Sequence, residues 1–466
     1  MNDTAPHDLV VHGDIALPGG HFLRGGWMGI TGGRIEQTSE TPLVGRDTLH
    51  VSGNVVLPGF VDAHVHTRSY IDEGITATTR AASAGGTTTI IDMPFDKPAR
   101  PVNTRERFEA KVADVNAEAV VDVALYATFP PEGDLGIIAD LADAGAAGFK
   151  VSTIEVDPVR FPRIPDGRFY EAFQEIAKTG RPVAAHQENQ EIVFSQAEAF
   201  RARGDTAAID HALSRPPVAE AEAAGRLLEL AYWTGARLHM VHGTLPRTFD
   251  LIQWNRSQGV SATGETCLQY LLLTMDALRE LGGRAKCNPP LRSQEAVEGL
   301  WAQLQDGSID IVTSDHSPYP LHRKETPDIF DAFAGMPGAE TLGPLLYSEG
   351  VASGRIDLAR FLELIASGPA DVFGLSRKGR LEPGADADFV VFDPDAEWTV
   401  DDDATHYAVG WTPFHGRPVR GRVVSTWLGG CCIYQDGDVT AQPGAGRFVR
   451  PTEERAPAKT VSDTGE

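Results

Sequence analysis

The sequence is short of cysteine and has no long hydrophobic run. Its four cysteines are Cys267, Cys287, Cys431 and Cys432. They form no C-x-x-C pair, and two are adjacent, which excludes a disulfide framework. No apolar run approaches the roughly 20 residues needed to span a bilayer, and the first residues lack the basic segment and apolar core of a signal peptide. We therefore expect a reduced, cytoplasmic protein.

Positive charge is also scarce. The chain has 41 lysines and arginines against 65 aspartates and glutamates, and its net charge is −24. An acidic surface argues against nucleic acid or an anionic membrane as a partner. It says little about a small molecule, which meets only its own pocket. We expect a small-molecule substrate, with no nucleic-acid or membrane partner.

A regular succession of strand and helix patterns fills most of the chain. Short alternating strands between glycine turns occupy both chain ends. Between them, apolar strand-like runs alternate with helical stretches. The strand-like runs end near residues 62–66, 88–94, 121–128, 148–152, 182–186, 237–242, 260–265 and 310–315. Eight such runs with intervening helices predict an α/β fold, a (β/α)8 TIM-like barrel.

The predicted barrel leaves the two chain ends to form a second unit. We place the barrel at residues 59–375. Residues 1–58 and 376–441 should pair into one composite β-sandwich domain. Residues 442–466 are rich in proline, glycine, threonine and charge, so we expect a flexible tail with little packed structure.

The first predicted barrel strand ends in two histidines. The segment reads GFVDAHVHT, and side chains alternate along a strand, so His64 and His66 share one face. Two buried imidazoles cost desolvation energy unless something binds them. A divalent metal is the usual partner.

Four later strand positions add to this pair at the carboxyl ends of the strands, where such barrels hold their active sites. They are Lys150 in strand four, His186 ending strand five, His242 ending strand six and Asp315 ending strand eight. Singly, each has a simpler explanation, such as a hydrogen-bonded core histidine, a lysine that reaches solvent or a helix cap. Because all fall at one barrel mouth, together they predict a metal site.

Three other histidines receive no role. His239 differs in strand parity from His242, so it should face the other side. His316 and His322 are treated as structural.

The lysine needs a chemical explanation, because an ammonium group beside two divalent cations would be repelled. A buried lysine loses its proton readily. The neutral amine of Lys150 can then take up carbon dioxide as a carbamate, whose two oxygens can bridge two metals. Imidazoles, this carbamate and a carboxylate would make a two-metal site that acidifies a bridging water.

These segments resemble the cyclic amidohydrolases, which include allantoinase, hydantoinase/dihydropyrimidinase and dihydroorotase. The similar segments are GFVDAHVH, GFK, AHQEN, MVHGT, GETCLQYL, KCNPPLR and TSDHSPY. The resemblance extends from about Val10 to Tyr434. It implies a homotetramer or homodimer, and two divalent ions, usually zinc, with manganese, cobalt or iron as alternatives. The implied ligands are His64, His66 and Asp315 for the buried ion, His186 and His242 for the exposed ion, and carboxylated Lys150 as the bridge.

The implied reaction is hydrolysis of a ring amide. A hydroxide that bridges the ions attacks the carbonyl carbon, and the exposed ion polarises the carbonyl oxygen. Asp315 acts as general acid and base, passing the hydroxide proton to the leaving nitrogen. Family position assigns substrate contacts to Arg68, Cys287, Asn288, Ser317, Gly335 and Gly338.

The identity of the ring is less strongly indicated. Arg68 stands where dihydroorotases bind a carboxylate, but Phe95 replaces the asparagine that completes their clamp, so Arg68 is alternatively a salt-bridged surface residue. Hydantoinases usually place a tyrosine shortly after the lysine, and here none occurs before Tyr170. The segments DMPFDKP, RFPRIPDG, KCNPPLR and SDHSPY are more similar to those of allantoinases. We predict conversion of allantoin to allantoate, with a hydantoinase, dihydropyrimidinase or other cyclic imide hydrolase as the alternative.

Two alternatives of a different class stay open. A non-catalytic member of the family would have lost metal ligands that this chain retains. A mononuclear deaminase would lack the strand-four lysine and carry a glutamate near the strand-five histidine; Glu188, two residues after His186, has the right parity. The GFK run favours the two-metal site. The segment after His66 is shorter than the loop that shapes the pocket in this family. An unusual substrate is therefore a further alternative.

Overall fold

The structure is a computed structural model that describes residues 6–68, 73–98 and 100–452. The strands are β1 (His7–Ala16), β2 (Phe22–Thr31), β3 (Arg34–Ser39), β4 (Gly45–Pro58), β5 (Phe60–Val65), β6 (Thr87–Asp92), β7 (Phe95–Asp96), β8 (Arg100–Pro101), β9 (Asp122–Ala127), β10 (Gly148–Ser152), β11 (Pro182–His186), β12 (Arg237–Met240), β13 (Ala262–Cys267), β14 (Ile311–Thr313), β15 (Phe389–Thr399), β16 (Pro418–Leu428), β17 (Cys431–Gln435) and β18 (Asp438–Val439).

The helices lie mostly between the barrel strands. They are α1 (Gly74–Ala84), α2 (Arg105–Glu118), α3 (Ile137–Ala144), α4 (Asp166–Thr179), α5 (Gln190–Arg203), α6 (Ala208–Leu213), α7 (Pro217–Thr234), α8 (Pro246–Ser257), α9 (Leu268–Leu272), α10 (Ala277–Leu281), α11 (Gln294–Asp306), α12 (Leu321–Lys324), α13 (Leu342–Leu346), α14 (Leu358–Leu362) and α15 (Gly368–Val372). Short 3-10 turns occur at Gly282–Ala285, Ile329–Asp331 and Asp402–Ala404, and π-helical turns at Tyr347–Ala352 and Glu363–Ser367. Within the described ranges, none of the helices is long and apolar enough to cross a membrane.

Eight parallel strands form the barrel, in the order β5-β6-β9-β10-β11-β12-β13-β14. The barrel closes where Val65 of β5 bridges His316, just after β14, and the amide N–H of His66 donates to the His316 carbonyl at 2.8 Å. Strands such as TTTIID and DVALYA are buried at every position because helices cover the sheet on the outside. The predicted fold class is confirmed.

The second sheet joins the two ends of the chain. Its strand order is β18-β17-β16-β15-β4-β1-β2-β3. Strand β4 pairs with β1 in parallel and with β15 in antiparallel orientation. A single residue, Gly59, separates β4 from barrel strand β5, and a Cβ atom there would lie 2.2 Å from the Thr88 hydroxyl. Glycine is therefore required where the chain passes from the small sheet into the barrel.

Residues 442–452 pack against the barrel, which corrects the prediction of an unpacked tail for this part. The Val123 N–H donates to the Arg447 carbonyl and the Val449 N–H donates to the Val123 carbonyl, both at 2.9 Å. Val449 is buried, and the Phe448 ring meets Phe108 edge-on. These two apolar residues, set among turn formers, supply the packing energy. Residues 453–466 of the predicted tail lie outside the described residues.

Candidate metal centre and active site

One cavity of about 380 Å³ is lined by all the side chains predicted as metal ligands. They are His64, His66, Lys150, His186, His242 and Asp315. They come from the ends of β5, β11, β12 and β14 and from the middle of β10. A larger cavity of about 960 Å³ is lined by none of them. The volume of a cavity therefore does not identify the candidate active site in this protein.

Two imidazoles and a carboxylate form the tightest group. His64 Nε2 lies 3.2 Å and His66 Nε2 lies 3.6 Å from Asp315 Oδ1. One ligand atom from each of these residues falls within 4.8 Å of the others. The His186 and His242 rings are 4.5 Å apart, and the His64 and His242 rings are 5.4 Å apart. Two neighbouring sets of donors therefore face one cavity.

The backbone bends sharply at two of these positions. His242 has φ 42° and Asp315 has φ 46°. Side chains other than glycine rarely adopt this left-handed conformation, which costs about 1–3 kcal/mol and persists where the surroundings impose it. Each is the second residue after a barrel strand, so the fold accepts this strain to turn the two side chains into the cavity.

Glu265 of β13 positions His64, a role that strand-end patterns did not reveal. The carboxylate is completely buried and bonds His64 Nδ1. It also accepts the His242 backbone N–H at 3.1 Å and contacts His239 Nε2 at 3.2 Å. Because Nδ1 of His64 is engaged, its Nε2 is the nitrogen left for a metal. A glutamate in the middle of the buried strand ATGETC was the available signal.

Glu188 holds His186 in a similar way. Its Oε2 lies 2.8 Å from His186 Nε2 and 2.5 Å from Arg215 Nη1. Burial acts to raise the pKa of Glu188, but Arg215 and His186 outweigh it and lower the pKa to about 2. The carboxylate is therefore ionised, and Nδ1 of His186 is the nitrogen left for a metal.

The remaining electrostatics suit a cation site. Burial, followed by the charge of Lys150, lowers the pKa of His64 to about 4, and burial lowers the pKa of His66 and His242 well below the ordinary value. Neutral imidazoles are the form that binds metal. His242 Nδ1 is buried without a hydrogen-bond partner in the described part of the chain. The residues present fit a divalent metal.

Lys150 and Asp315 face each other across the same cavity. Lys150 is 1% exposed. Burial lowers the pKa of its amine, while the nearby carboxylates of Glu265 and Asp315 act to raise it. Burial likewise raises the pKa of Asp315. Each group is thereby shifted towards its neutral form, which suits an amine that reacts and a carboxyl that exchanges protons.

The predicted substrate contacts divide into two sets. Asn288, Ser317 and Gly335 line the cavity. The Asn288 Oδ1 atom is buried without a hydrogen-bond partner among the described residues. An unsatisfied buried acceptor costs free energy unless a ligand supplies a donor. Asn288 therefore offers a free acceptor at the cavity.

The other three predicted contacts are corrected, because they do not line the cavity. Arg68 pairs with Asp114 at 2.7 Å and Glu118 at 3.3 Å on α2, so it is the salt-bridged alternative. The Cys287 thiol is buried in the hydrophobic core, and burial raises its pKa to about 12. Gly338 donates its N–H to His316 Nδ1 at 3.1 Å and so supports the chain after β14.

The three histidines without a predicted role also lie outside the cavity lining. His239 bonds Thr263 at 2.8 Å, and its Nε2 contacts Glu265, the carboxylate that also bonds His64, at 3.2 Å. Its register places it beside Ala184 and Lys150 on one face of the sheet, so the prediction that it faces the other side is wrong. His316 contacts Glu73 at 3.2 Å. His322 is exposed on α12.

Comparison with known proteins identifies the family of the chain. Residues 55–432 match the model of the amidohydrolase family. The chain is 39% identical to an allantoinase of Rubrobacter xylanophilus, over 95% of this chain and 98% of the relative. It is 37% identical to an allantoinase of Deinococcus radiodurans, over 95% of this chain and 99% of the relative.

A solved structure is also similar over nearly its whole length. It is an L-hydantoinase (dihydropyrimidinase) from Arthrobacter aurescens, with a TM-score of 0.91 and 32% identity, covering 95% of this chain and 100% of that chain. The family match, the relatives and the shared architecture lead to one conclusion. The chain belongs to the amidohydrolase family, and it is a cyclic amidohydrolase.

Proposed function

We propose that the protein hydrolyses allantoin to allantoate at a centre of two divalent metal ions, with zinc as the expected metal. The observation that carries the proposal is the convergence of the imidazoles, Lys150 and Asp315 on one cavity. The allantoinases among the relatives, at 39% and 37% identity, support the choice of ring.

The proposed ligands form two sets, one for each ion, with Lys150 shared. They are His64, His66 and Asp315 for one ion, His186 and His242 for the other, and carboxylated Lys150 between them. When bound, such a pair of ions supplies an acidified water and polarises the carbonyl of the substrate.

Lys150 would be modified before it binds metal. Its neutral amine attacks carbon dioxide, an N–C bond forms, and the nitrogen proton is released. The product is an anion, so it removes the repulsion that an ammonium group would exert on cations. The burial that lowers the pKa of Lys150 favours the reactive neutral amine.

Asp315 would move the proton that the reaction requires. Its carboxylate takes a proton from the attacking water as the C–O bond forms, and gives it to the ring nitrogen as the C–N bond breaks. Burial raises the pKa of Asp315, which brings the group closer to neutral pH, where general acids and bases work best.

Asn288 would orient the ring. Its free Oδ1 acceptor can receive the N–H on the edge of the ring that does not react. A fixed orientation presents the scissile carbonyl to the attacking water, and such positioning lowers the entropic part of the barrel enzyme's activation barrier.

A substrate panel tests the proposal. Purified protein with zinc, manganese or cobalt is assayed on allantoin, hydantoin, 5-substituted hydantoins, dihydrouracil and dihydroorotate. We expect the highest kcat/KM for allantoin and about two metal ions per chain by elemental analysis. The absence of both hydrolysis and metal would contradict it and favour a non-catalytic member of the family.

Hydantoin hydrolysis is the second candidate, because the L-hydantoinase structure shares the whole fold at a TM-score of 0.91. Faster turnover of 5-substituted hydantoins than of allantoin would favour it. Dihydroorotate is disfavoured, since Arg68 is held by carboxylates on α2 rather than at the cavity. A homotetramer or homodimer stays a prediction.

A further inference from the structure

Among the cationic side chains on the cavity lining that have no part in the chemistry above, two lie close together. They are Lys97 and Arg160. Arg160 is 8% exposed, its Nη1 donates to the Phe95 carbonyl at 2.8 Å, and its buried Nε has no hydrogen-bond partner in the described ranges. A buried guanidinium that forms no salt bridge within the described ranges is costly, so its retention points to a ligand.

Asp157 is the acidic group that faces both cations, but its Oδ1 is already engaged. That oxygen accepts the backbone N–H groups of Val159 at 3.0 Å and Arg160 at 2.8 Å. Among the residues that the structure describes, neither Lys97 nor Arg160 forms a salt bridge with a carboxylate. Donor capacity on this wall is therefore left for something else.

Aromatic rings hold the Lys97 ammonium beside the cavity. The Lys97 ammonium lies 5.1 Å from the Tyr319 ring centre and 4.7 Å from that of Phe333. Cation–π contacts stabilise the charge without neutralising it. Burial, followed by the charge of Arg160, lowers the pKa of Lys97, which agrees with two positive groups close together.

This wall adjoins the predicted metal ligands. Phe161, next to Arg160, stacks on Phe95 with ring centres 3.7 Å apart and meets His186 edge-on at 6.3 Å. A ring held at the metal centre would extend its substituent along this wall.

We propose that Arg160, assisted by Lys97, determines specificity by donating hydrogen bonds to an acceptor oxygen on the exocyclic substituent of the ring. For allantoin this is the ureido carbonyl, so the inference rests on the proposed function and deepens it. A guanidinium presents several donors in a fixed plane, which suits a carbonyl or carboxylate oxygen. A ring without such a substituent leaves the donors unpaired and is a poorer substrate.

Kinetics of matched variants test this assignment. Arg160→Met keeps the apolar stem and removes the donors. We expect kcat/KM for allantoin to fall about 10- to 100-fold, the usual effect of losing a charged hydrogen bond. For unsubstituted hydantoin the expected loss is roughly threefold or less.

Arg323→Met is the control. Its guanidinium lies 5.4 Å from the Phe333 ring centre, but Arg323 is exposed and does not line the cavity. We expect it to leave both rates unchanged. Equal losses on both rings in Arg160→Met would overturn the inference, because the arginine would then support the fold of the site rather than read the substituent.

Binding separates this inference from the proposed function. Calorimetry with hydantoin-5-acetate, which carries a carboxylate acceptor, should give a Kd that is weaker by about 10-fold or more in Arg160→Met, with partial recovery in Arg160→Lys. An unchanged Kd would overturn the role of Arg160 even in an active enzyme. A lack of hydrolysis of every ring, with the Kd difference present, would overturn the proposed function alone.

Discussion

At the scale of single residues, buried carboxylates hold two of the imidazoles in fixed orientations. Glu265 engages Nδ1 of His64, and Glu188 engages Nε2 of His186. Each carboxylate leaves the other ring nitrogen for the cavity. Such partners orient ligands and raise their basicity, so they matter for metal affinity as much as the ligands do.

Replacing Glu265 with glutamine should therefore weaken metal binding. The amide preserves the volume but loses the charge and one of the two acceptors that contact His64 and His239. We expect metal affinity to fall about 10- to 100-fold, measured by metal content after dialysis against graded chelator. Glu229→Gln, on the exposed face of α7, is the control. Wild-type affinity in the Glu265 variant would contradict the orienting role.

Replacing Lys150 with alanine should abolish both metal binding and activity. The variant lacks the amine that becomes the proposed bridge between the ions, and a short carboxylic acid added to the buffer should restore part of the rate. Metal analysis and turnover with and without acetate are the measurements. Lys178→Ala, in an exposed salt bridge on α4, is the control. Full activity of Lys150→Ala without added acid would refute the bridge.

At the scale of elements, two buried lysines fasten the segment that forms one cavity wall. The Lys286 ammonium donates to the carbonyls of Ile329 and Ala332 at 2.7 and 2.5 Å. Lys324 donates to the carbonyls of Phe333 and Gly335 at 2.8 and 2.7 Å. Backbone oxygens satisfy the N–H donors without a neutralising carboxylate, so both amines bear the cost of burial.

The lysine pKa predicts how stability changes with pH. Burial, followed by the charge of Arg215, lowers the pKa of Lys286 from 10.5 to about 7. Between these values the unfolded chain binds more protons than the folded protein, so the contribution of Lys286 to stability increases as pH rises. Between pH 7 and pH 9 we expect the free energy of unfolding of wild type to increase relative to that of Lys286→Met. The increase should be at most about 1.4 kcal/mol per pH unit.

Urea unfolding of both proteins at the two pH values measures this gain. The relevant quantity is the difference between the urea midpoints of the two proteins at each pH. All other titrating groups are common to both proteins, so their effects on stability cancel in this difference. A difference that stays constant, or that narrows as pH rises, would show that Lys286 keeps its ordinary protonation in the fold.

At the scale of the whole molecule, one lysine joins the barrel to the small sheet. Lys378 lies 2.6 Å from Asp122 at the start of β9, and 2.9 and 2.8 Å from Asp386 and Asp388 just before β15. The Arg447 N–H from the packed tail donates to Asp122 at 3.0 Å. The ammonium occupies the position that a cation would take, so these aspartates form an ion-pair cluster.

Removal of that ammonium should destabilise the protein strongly. Lys378→Met leaves three buried carboxylates without their cation, and breaking a buried pair in this way typically costs about 3–5 kcal/mol. Thermal unfolding should show a lower midpoint than in wild type, whereas Lys178→Met should leave it unchanged. An unchanged midpoint for Lys378→Met would contradict the importance of the cluster for joining the two parts.

Local sequence determined the barrel and the set of metal-capable side chains. Strand ends and side-chain alternation are properties of short segments, so His64, His66, His186 and the others could be placed without knowing their neighbours. The apolar run that buries Lys150 is also a property of a short segment, so the sequence alone was enough to identify it.

Only the tertiary structure decided which groups support or accompany that set. Glu265 and His64 are 201 residues apart in sequence, and they meet because the barrel closes. Arg68 is paired by carboxylates on α2, whereas Arg160 lines the cavity and forms no salt bridge with a carboxylate of the described residues. Charge pairing depends on distances between distant segments, and packing alone sets those distances.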